Sequence, residues 1–341
     1  MKNRISSISA IAMLLTGVLL TACQRDSDVV PSIQTPIQLN TEIGVEEGNT
    51  RASSQSYLTN VGTNFSGGQQ VALFICESNG TSDIAVTEEN YAKLTYKGQQ
   101  IATTTVTDGD NHTLTFDDGN TRYWPDTNNR LSFYAWYPAS AFAGQTVNGS
   151  PVISVTNNQS DNAIYAAKDL MTARLIHRER STTTQTLNFT HALSKIIVVL
   201  KSTNSSISDD LMNNASVKLV QGDATTAILL DAVVNIKDGT ATAKSDGTNT
   251  NEMTIGTGKN TFAVLPTAQS LINKKISITM NGKEQSYTIT SVDNLTAGRQ
   301  YTFTIDLTSA RQDFAGTLTV SVNPWGTPEE GQDLTDQKLT I

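Results

Sequence analysis

The sequence predicts an all-β protein, and three observations support this. Apolar and polar residues alternate with a period of two in many short runs, and no long stretch shows the 3.6-residue apolar period of an amphipathic helix. Turn signals separate these runs at spacings of roughly 8–12 residues. Threonine, serine, asparagine and glycine are abundant throughout. Many short strands with regular turns predict sheets packed as a sandwich or a closed sheet. The clearest runs begin at Leu131, Leu187, Ile276, Tyr301 and Leu318.

Two dipeptides predict hairpins between such runs. Asn281-Gly282 is a pair favoured in type I′ turns, so we expect 276–280 to pair with 287–289. Asp238-Gly239 lies between two further strand-like runs and predicts a second hairpin.

The N-terminus has the charge order of an export signal. Lys2 and Arg4 precede an apolar run from Ala10 to Leu20, which is too short for the ~20 residues that a helix needs to cross a bilayer. This arrangement predicts a secretory signal peptide over residues 1–22.

The signal ends in Leu20-Thr21-Ala22-Cys23, which matches the lipobox of bacterial lipoproteins. The match predicts cleavage between Ala22 and Cys23 and attachment of lipid to the Cys23 thiol. The alternative is an ordinary secretory signal with an incidental cysteine. Because stable anchoring requires more than one acyl chain, and a lipobox cysteine normally receives two or three, we expect an exported protein held in the outer membrane.

Cysteine content and charge exclude several classes. Cys76 is the only cysteine besides Cys23, so no intramolecular disulfide can form in the lipidated protein. We expect Cys76 to pack as a small buried hydrophobe. The formal net charge of −8 argues against nucleic acid as a partner, because binding to phosphates requires a basic face.

Residues 37–45 predict a first strand with one apolar face. Its four large apolar side chains alternate with polar ones, and a polar stretch ending at Arg51-Ala52 follows. This pattern is what a removable strand joined to a trypsin-like cleavage site would look like. A plain first strand, followed by a loop in which Arg51 is a solvated charge, remains an open alternative. The apolar side chains are those of Ile37, Leu39, Ile43 and Val45.

Motifs of catalysis are missing from the sequence. None of the three histidines has metal-ligand spacing, and no nucleophile elbow, phosphate-binding glycine loop or dinucleotide fingerprint is present. We expect no enzyme activity, no cofactor and no metal. His191, on a strand pattern, is predicted to be structural. The acidic segments 108–111 and 117–120 predict hairpin turns, with calcium binding as an alternative.

Four aromatic residues leave two interpretations open. They could stack against carbohydrate, or they could stabilise a sheet through cross-strand pairs. The first interpretation supports an alternative function, a surface lipoprotein that binds polysaccharide. The residues are Tyr123, Trp124, Tyr134 and Trp136.

A charged and then polar stretch between Arg174 and Thr186 predicts a domain boundary. It divides the chain into a prosegment (23–51), an N-terminal domain (52–185) and a C-terminal domain (186–341). The alternative is one large sandwich in which this stretch is a long exposed loop.

Taken together and in chain order, these motifs make the sequence resemble the fimbrillin family, the Mfa-like subunits of type V pili. The resemblance covers essentially the whole chain. It rests on the lipobox and on Tyr123-Trp124-Pro125, residues 131–138, Lys168-Asp169-Leu170-Met171, residues 187–195, Val264-Leu265-Pro266, residues 295–303 and Val322-Asn323-Pro324-Trp325.

The resemblance implies two β-sandwich domains with transthyretin-like (Greek-key) topology and a structural role at the cell surface, in a fimbrium used for adhesion. It implies that an arginine-specific protease cuts between Arg51 and Ala52, which releases the lipid and the first strand. A strand from a neighbouring pilus subunit then takes the vacated place. Asp333–Ile341 is the candidate donor strand. A carbohydrate or host receptor is a further candidate partner.

Overall fold

The computed structural model describes residues 34–43, 70–79, 82–83, 99–106, 112–116, 119, 121–125, 128–161, 167–308 and 314–325. For residues 79, 82–83, 99–106 and 112 it describes the backbone only. Twenty-one strands dominate these residues, so the all-β prediction is confirmed. Short helices lie between some of them, a 3₁₀ helix at Ala139–Phe142 and α1 at Asp209–Asn213. Within the described ranges, no helix has the length and apolarity to cross a bilayer.

Eight strands form one sheet, and all of them except β3 close into a ring. Their order is β3-β2-β4-β5-β1-β9-β8-β6, and β2 also pairs with β6. Alternate side chains of each strand therefore point into or out of the closed sheet. The strands of this sheet are β1 (Leu39–Ile43), β2 (Gln70–Asn79), β3 (Ser82–Asp83), β4 (Gln99–Val106), β5 (His112–Phe116), β6 (Arg130–Tyr137), β8 (Met171–Arg178) and β9 (Gln185–His191). Strand β7 (Val152–Ser154) also lies in this part of the chain but belongs to another sheet.

The inward side chains form a first core, which we call the N-terminal core. Trp124 contacts the edge of Phe133 within it, with ring centroids 5.8 Å apart. Because the core draws on strands from distant parts of the chain, it exists only when the sheet is closed. Its buried members are Ile37, Leu39, Val71, Leu73, Ile75, Leu114, Trp124, Leu131, Phe133, Ala135, Met171, Ala173, Leu187 and Phe189.

The rest of the chain folds into two four-stranded sheets, with orders β17-β10-β20-β21 and β16-β11-β18-β19. Two small sheets, β14-β13-β7 and β12-β15, lie beside them. Both four-stranded sheets contribute to one hydrophobic core, as in a β-sandwich. The strands are β10 (Ser194–Lys201), β11 (Ser216–Val220), β12 (Ile228–Leu229), β13 (Asp231–Asn235), β14 (Thr240–Ala243), β15 (Asn249–Thr250), β16 (Glu252–Thr257), β17 (Asn260–Leu265), β18 (Lys275–Met280), β19 (Lys283–Thr288), β20 (Arg299–Leu307) and β21 (Gly316–Pro324).

The second core extends onto the outer face of the closed sheet. Phe74, Cys76 and Trp136 point outward from β2 and β6 and pack into it. The Trp136 Nε1–H donates a hydrogen bond to the carbonyl of Ile236, at 3.1 Å. Cys76 is 3% exposed in this core, which confirms its predicted packing as a buried hydrophobe. The second core therefore joins the closed sheet to the rest of the chain.

Strand pairing does not follow the predicted boundary at residues 185/186. β9 (Gln185–His191), which that boundary assigns to the C-terminal domain, pairs with β1 and β8 of the closed sheet. β7, on the N-terminal side of the boundary, pairs with β13. Backbone hydrogen bonding therefore favours a division after His191. The separation into two domains, and the transthyretin-like topology of each, stay predictions.

The Asn281-Gly282 hairpin has the predicted pairing. β18 and β19 are antiparallel, with Met280 opposite Lys283 and Ile276 opposite Tyr287. Asn281 and Gly282 have φ of 48° and 73°, the left-handed values that a type I′ turn requires. The Asp238-Gly239 segment likewise joins β13 to β14.

We expect Gly282→Ala to lower the free energy of unfolding by about 1–2 kcal/mol, because alanine is strained at positive φ. No neighbouring atom lies within 4 Å of the added Cβ, so the loss reports backbone strain alone. Chemical denaturation measures it, with Lys283→Ala on the exposed next residue as the control. Equal stability of the two variants would contradict the turn assignment.

Candidate functional site

The first strand lies between two strands that are distant from it in the sequence. β1 is antiparallel to β5, with Leu39 opposite Leu114 and Asn40 opposite Thr113. It is parallel to β9 over its whole length, from Leu39 opposite Gln185 to Ile43 opposite Phe189. Both edges of β1 are therefore used, and β1 closes the sheet. We call the space that it occupies, between β5 and β9 and above the N-terminal core, the first-strand groove.

Three of the four predicted apolar side chains point into this groove, those of Ile37 just before β1 and of Leu39 and Ile43 within it. Ile37 is 6% exposed and Leu39 is 2% exposed, and the half-buried Ile43 packs against the same core. Full burial of two such side chains contributes about 3–6 kcal/mol. The predicted strand is confirmed over Leu39–Ile43, whereas Val45 lies outside the described residues.

The residues just before β1 form hydrogen bonds with two loops and with the first residue of β9. One loop follows β5 and the other connects β8 to β9. Both contact the segment 35–38, so the start of the first strand is fixed by polar contacts as well as by burial. The bonds run from Ile37 N to Arg122 O (2.8 Å), from Trp124 N to Thr35 O (2.9 Å), from Gln185 N to Gln38 O (2.9 Å) and from Arg180 Nε to Thr35 Oγ1 (2.8 Å).

Other predicted site residues lie outside the described residues. These are the lipobox pair Ala22 and Cys23, the maturation pair Arg51 and Ala52, the candidate donor Asp333–Ile341 and most of the two acidic segments. Within the part of the chain that is described, no cluster of three or more potential metal ligands is present.

The four aromatic residues do not form a sugar-stacking platform. Trp124 belongs to the N-terminal core, and Tyr134 and Trp136 belong to the second core; they are at most 2% exposed. Tyr123 is half-buried. Because the closed sheet is covered on its inner face and in part on its outer face, alternation along β6 buries side chains on both sides. This burial removes the main support of the polysaccharide hypothesis, and stabilisation of the sheet by cross-strand aromatic pairs stays a prediction.

Three of the sequence motifs meet at one point of the structure. His191 Nδ1 is 2.9 Å from Asp169 Oδ1. The imidazole stacks on the indole of Trp325, with ring centroids 3.8 Å apart and an angle of 1° between planes. The buried Lys195 ammonium lies 6.0 Å from the same indole. His191 is thus structural, as predicted, and it fastens the end of β21 to the closed sheet.

This fold and groove define a class of protein: an all-β chain whose N-terminal segment completes a closed sheet built from later strands. The family model described as fimbrillin-like matches residues 50–325. The chain belongs to the fimbrillin-like family.

Relatives and fold neighbours are consistent with this assignment. A Bacteroides ovatus protein named as the fimbrium tip subunit Fim1C is 26% identical over 215 residues, covering 59% of this chain and 35% of the relative. The chain thus spans about a third of that relative's length. Crystal structures named as cell adhesion proteins, from Bacteroides uniformis and Bacteroides ovatus, share the fold. Each superposes with a TM-score of 0.60 at 18% identity, covering 85% and 87% of this chain and 98% and 99% of the neighbour.

We expect Leu39→Ala to lower the free energy of unfolding by about 2–5 kcal/mol, because it leaves a cavity in the N-terminal core. Glu42→Ala, on the exposed face of the same strand, is the matched control and should change it by less than about 0.5 kcal/mol. Denaturant titration of the uncut chain distinguishes the two. Similar losses in both variants would show that β1 does not insert a specific face into the core.

Proposed function

We propose that this protein is a subunit of a type V-like surface pilus, exported as a lipoprotein through Cys23. Cleavage after Arg51 then allows its first strand to be exchanged for a strand of another subunit. The observation that carries the proposal is the position of β1, which is hydrogen-bonded to β5 on one edge and to β9 on the other. The names of the fimbrial relative and of the adhesion-protein neighbours support it.

Removal of β1 would leave a groove that another polypeptide can fill. The facing edges of β5 and β9 would present unpaired N–H and C=O groups, and the N-terminal core would be exposed between them. An extended peptide satisfies both needs at once, since its backbone pairs with the edges and its alternate side chains fill the core. Assembly by strand addition therefore requires no nucleotide and no new fold.

Covalent attachment is what prevents exchange before cleavage. While β1 is part of the chain, its effective concentration at the groove is high, because the linker to β2 holds it nearby. A cut after Arg51 makes it a separate peptide, held only by its burial and by the hydrogen bonds of residues 35–43. A competing strand can then replace it.

Arginines elsewhere are less suited to this role. Arg174 donates to the carbonyl of Lys237 and Arg178 donates to Gln185 Oε1, while Arg180 binds Thr35. Arg174 and Arg178 lie within β8, and cleavage at any of the three would interrupt the chain between β8 and β9 or inside β8. Such a cut would not separate β1 from β2.

The lipid anchor is tested by Cys23→Ala. We expect this variant to take up no lipid and to miss the outer membrane, because the thiol is the acylated group. Metabolic labelling with a palmitate analogue reads out the modification, and Cys76→Ala serves as the matched control. Label that persists on the Cys23→Ala protein would contradict lipidation at this residue.

The maturation site is tested by Arg51→Ala and Arg51→Lys. Under an arginine-specific protease both variants should stay monomeric and lipid-bound, because β1 remains attached to the chain. A lysine-specific protease should restore strand release in Arg51→Lys alone. Gel electrophoresis and mass spectrometry follow polymer ladders and the released N-terminal peptide. Polymerisation of Arg51→Ala at the wild-type rate would overturn the mechanism.

A further inference from the structure

β1 is an imperfect occupant of its own groove, because it buries two polar atoms that have no hydrogen-bond partner. These atoms are Asn40 Oδ1 and Thr41 Oγ1. A buried polar atom without a partner loses its hydrogen bonds to water and gains nothing in return. Two such atoms in adjacent residues of a five-residue strand weaken its binding at its centre.

The position of Thr41 is an apolar one. It continues the inward series Ile37, Leu39 and Ile43, and its side chain is only 1% exposed. It lies beside Leu187 of β9 in the parallel register, and Leu187 is completely buried. The surroundings thus favour a β-branched apolar side chain at this point, whereas the chain supplies a hydroxyl.

We infer that β1 acts as a temporary filler, and that the strand which replaces it carries an apolar, β-branched side chain at the register position of Thr41. This inference rests on the proposed function and specifies the chemistry of the partner. A filler with a buried hydroxyl is stable while covalently attached, and it binds less tightly than an all-apolar competitor once cleavage has freed it. The direction of exchange is then set by one side chain.

The candidate donor Asp333–Ile341 is a poor match to the inward positions of the groove. A donor must supply alternate residues at the four inward positions, and β1 itself supplies three large apolar ones. In the candidate donor Asp333–Ile341, only Leu339 and Ile341 are apolar and in phase, and the next residues in that phase are Gln337 and Thr335. The other phase contains Leu334, Asp336, Lys338 and Thr340. The chain's own tail therefore fills the groove less well than β1 does.

The test is a competition between synthetic strands for the cleaved protein. Three peptides of residues 34–45 are compared, each labelled with a fluorophore at its N-terminus. One has the native sequence, one carries Thr41→Val and one carries Glu42→Val. Valine has nearly the shape of threonine, so the first change removes only the unpartnered hydroxyl. The second adds the same side chain at an exposed position of the strand. Each is titrated into full-length protein before and after treatment with an arginine-specific protease, and fluorescence anisotropy reports binding.

We expect the Thr41→Val peptide to bind the cleaved protein about tenfold more tightly than the native peptide. The Glu42→Val peptide should match the native one, and none should bind the uncut protein. Equal affinity of the native and Thr41→Val peptides, or an equal gain from Glu42→Val, would overturn this inference and leave the proposed function intact. If no peptide binds after cleavage, or if all bind the uncut protein, the strand-exchange function fails and the inference fails with it.

A second measurement does not depend on exchange. In the uncut chain, Thr41→Val should reduce the unfolding equilibrium constant by about tenfold, since the buried hydroxyl is lost. Thr41→Ser, which keeps the hydroxyl and loses the methyl group, should increase that constant. A Thr41→Val chain less stable than wild type would show that the hydroxyl is satisfied in solution, and would overturn the inference.

Discussion

The sheet closes only if a strand lies between β5 and β9. That strand is β1, which precedes all the other strands in the sequence. No other described strand pairs with the facing edges of β5 and β9. If the position were empty, two rows of backbone groups would lose their partners, and the inner side chains of Leu114, Leu187 and Phe189 would be exposed. The N-terminal core, and through it the surface on which the second core packs, depends on this one insertion.

Under the proposed function, this constraint lets one protein be stable on its own before cleavage and serve as an assembly unit afterwards. A terminal strand that completes a sheet can be exchanged without refolding the rest of the protein. Its contacts are confined to the edges of two neighbouring strands and to one face of the core. In the proposed mechanism, the polar contacts that fasten residues 35–38 and the burial of Ile37 and Leu39 retain the strand before cleavage. The unpartnered atoms of Asn40 and Thr41 limit how strongly it is retained afterwards.

Local features of the fold were predictable from the sequence, and long-range ones were not. Alternation over residues 37–43 identified the strand and its inward face, and Asn281-Gly282 identified a hairpin, because both depend on neighbouring residues. The pairing of β1 with β5 and β9 depends on residues far along the chain, so no local pattern encodes it. For the same reason the sequence does not reveal that β9 pairs with β1 and β8, or that His191 contacts Asp169 and Trp325.

The most direct test of the central claim is hydrogen–deuterium exchange of β5 and β9 in the same wild-type protein before cleavage, after cleavage with the strand removed, and in assembled fibres. We expect the amides of β5 and β9 that face β1 to be protected in the uncut chain, to exchange rapidly when β1 is removed, and to regain protection in the fibre. The hairpin 275–288, which belongs to a different sheet from β1, should stay protected in all three states. Amides of β5 and β9 that keep the same protection in all three states would contradict the claim that β1 closes the sheet and yields its place to a neighbour.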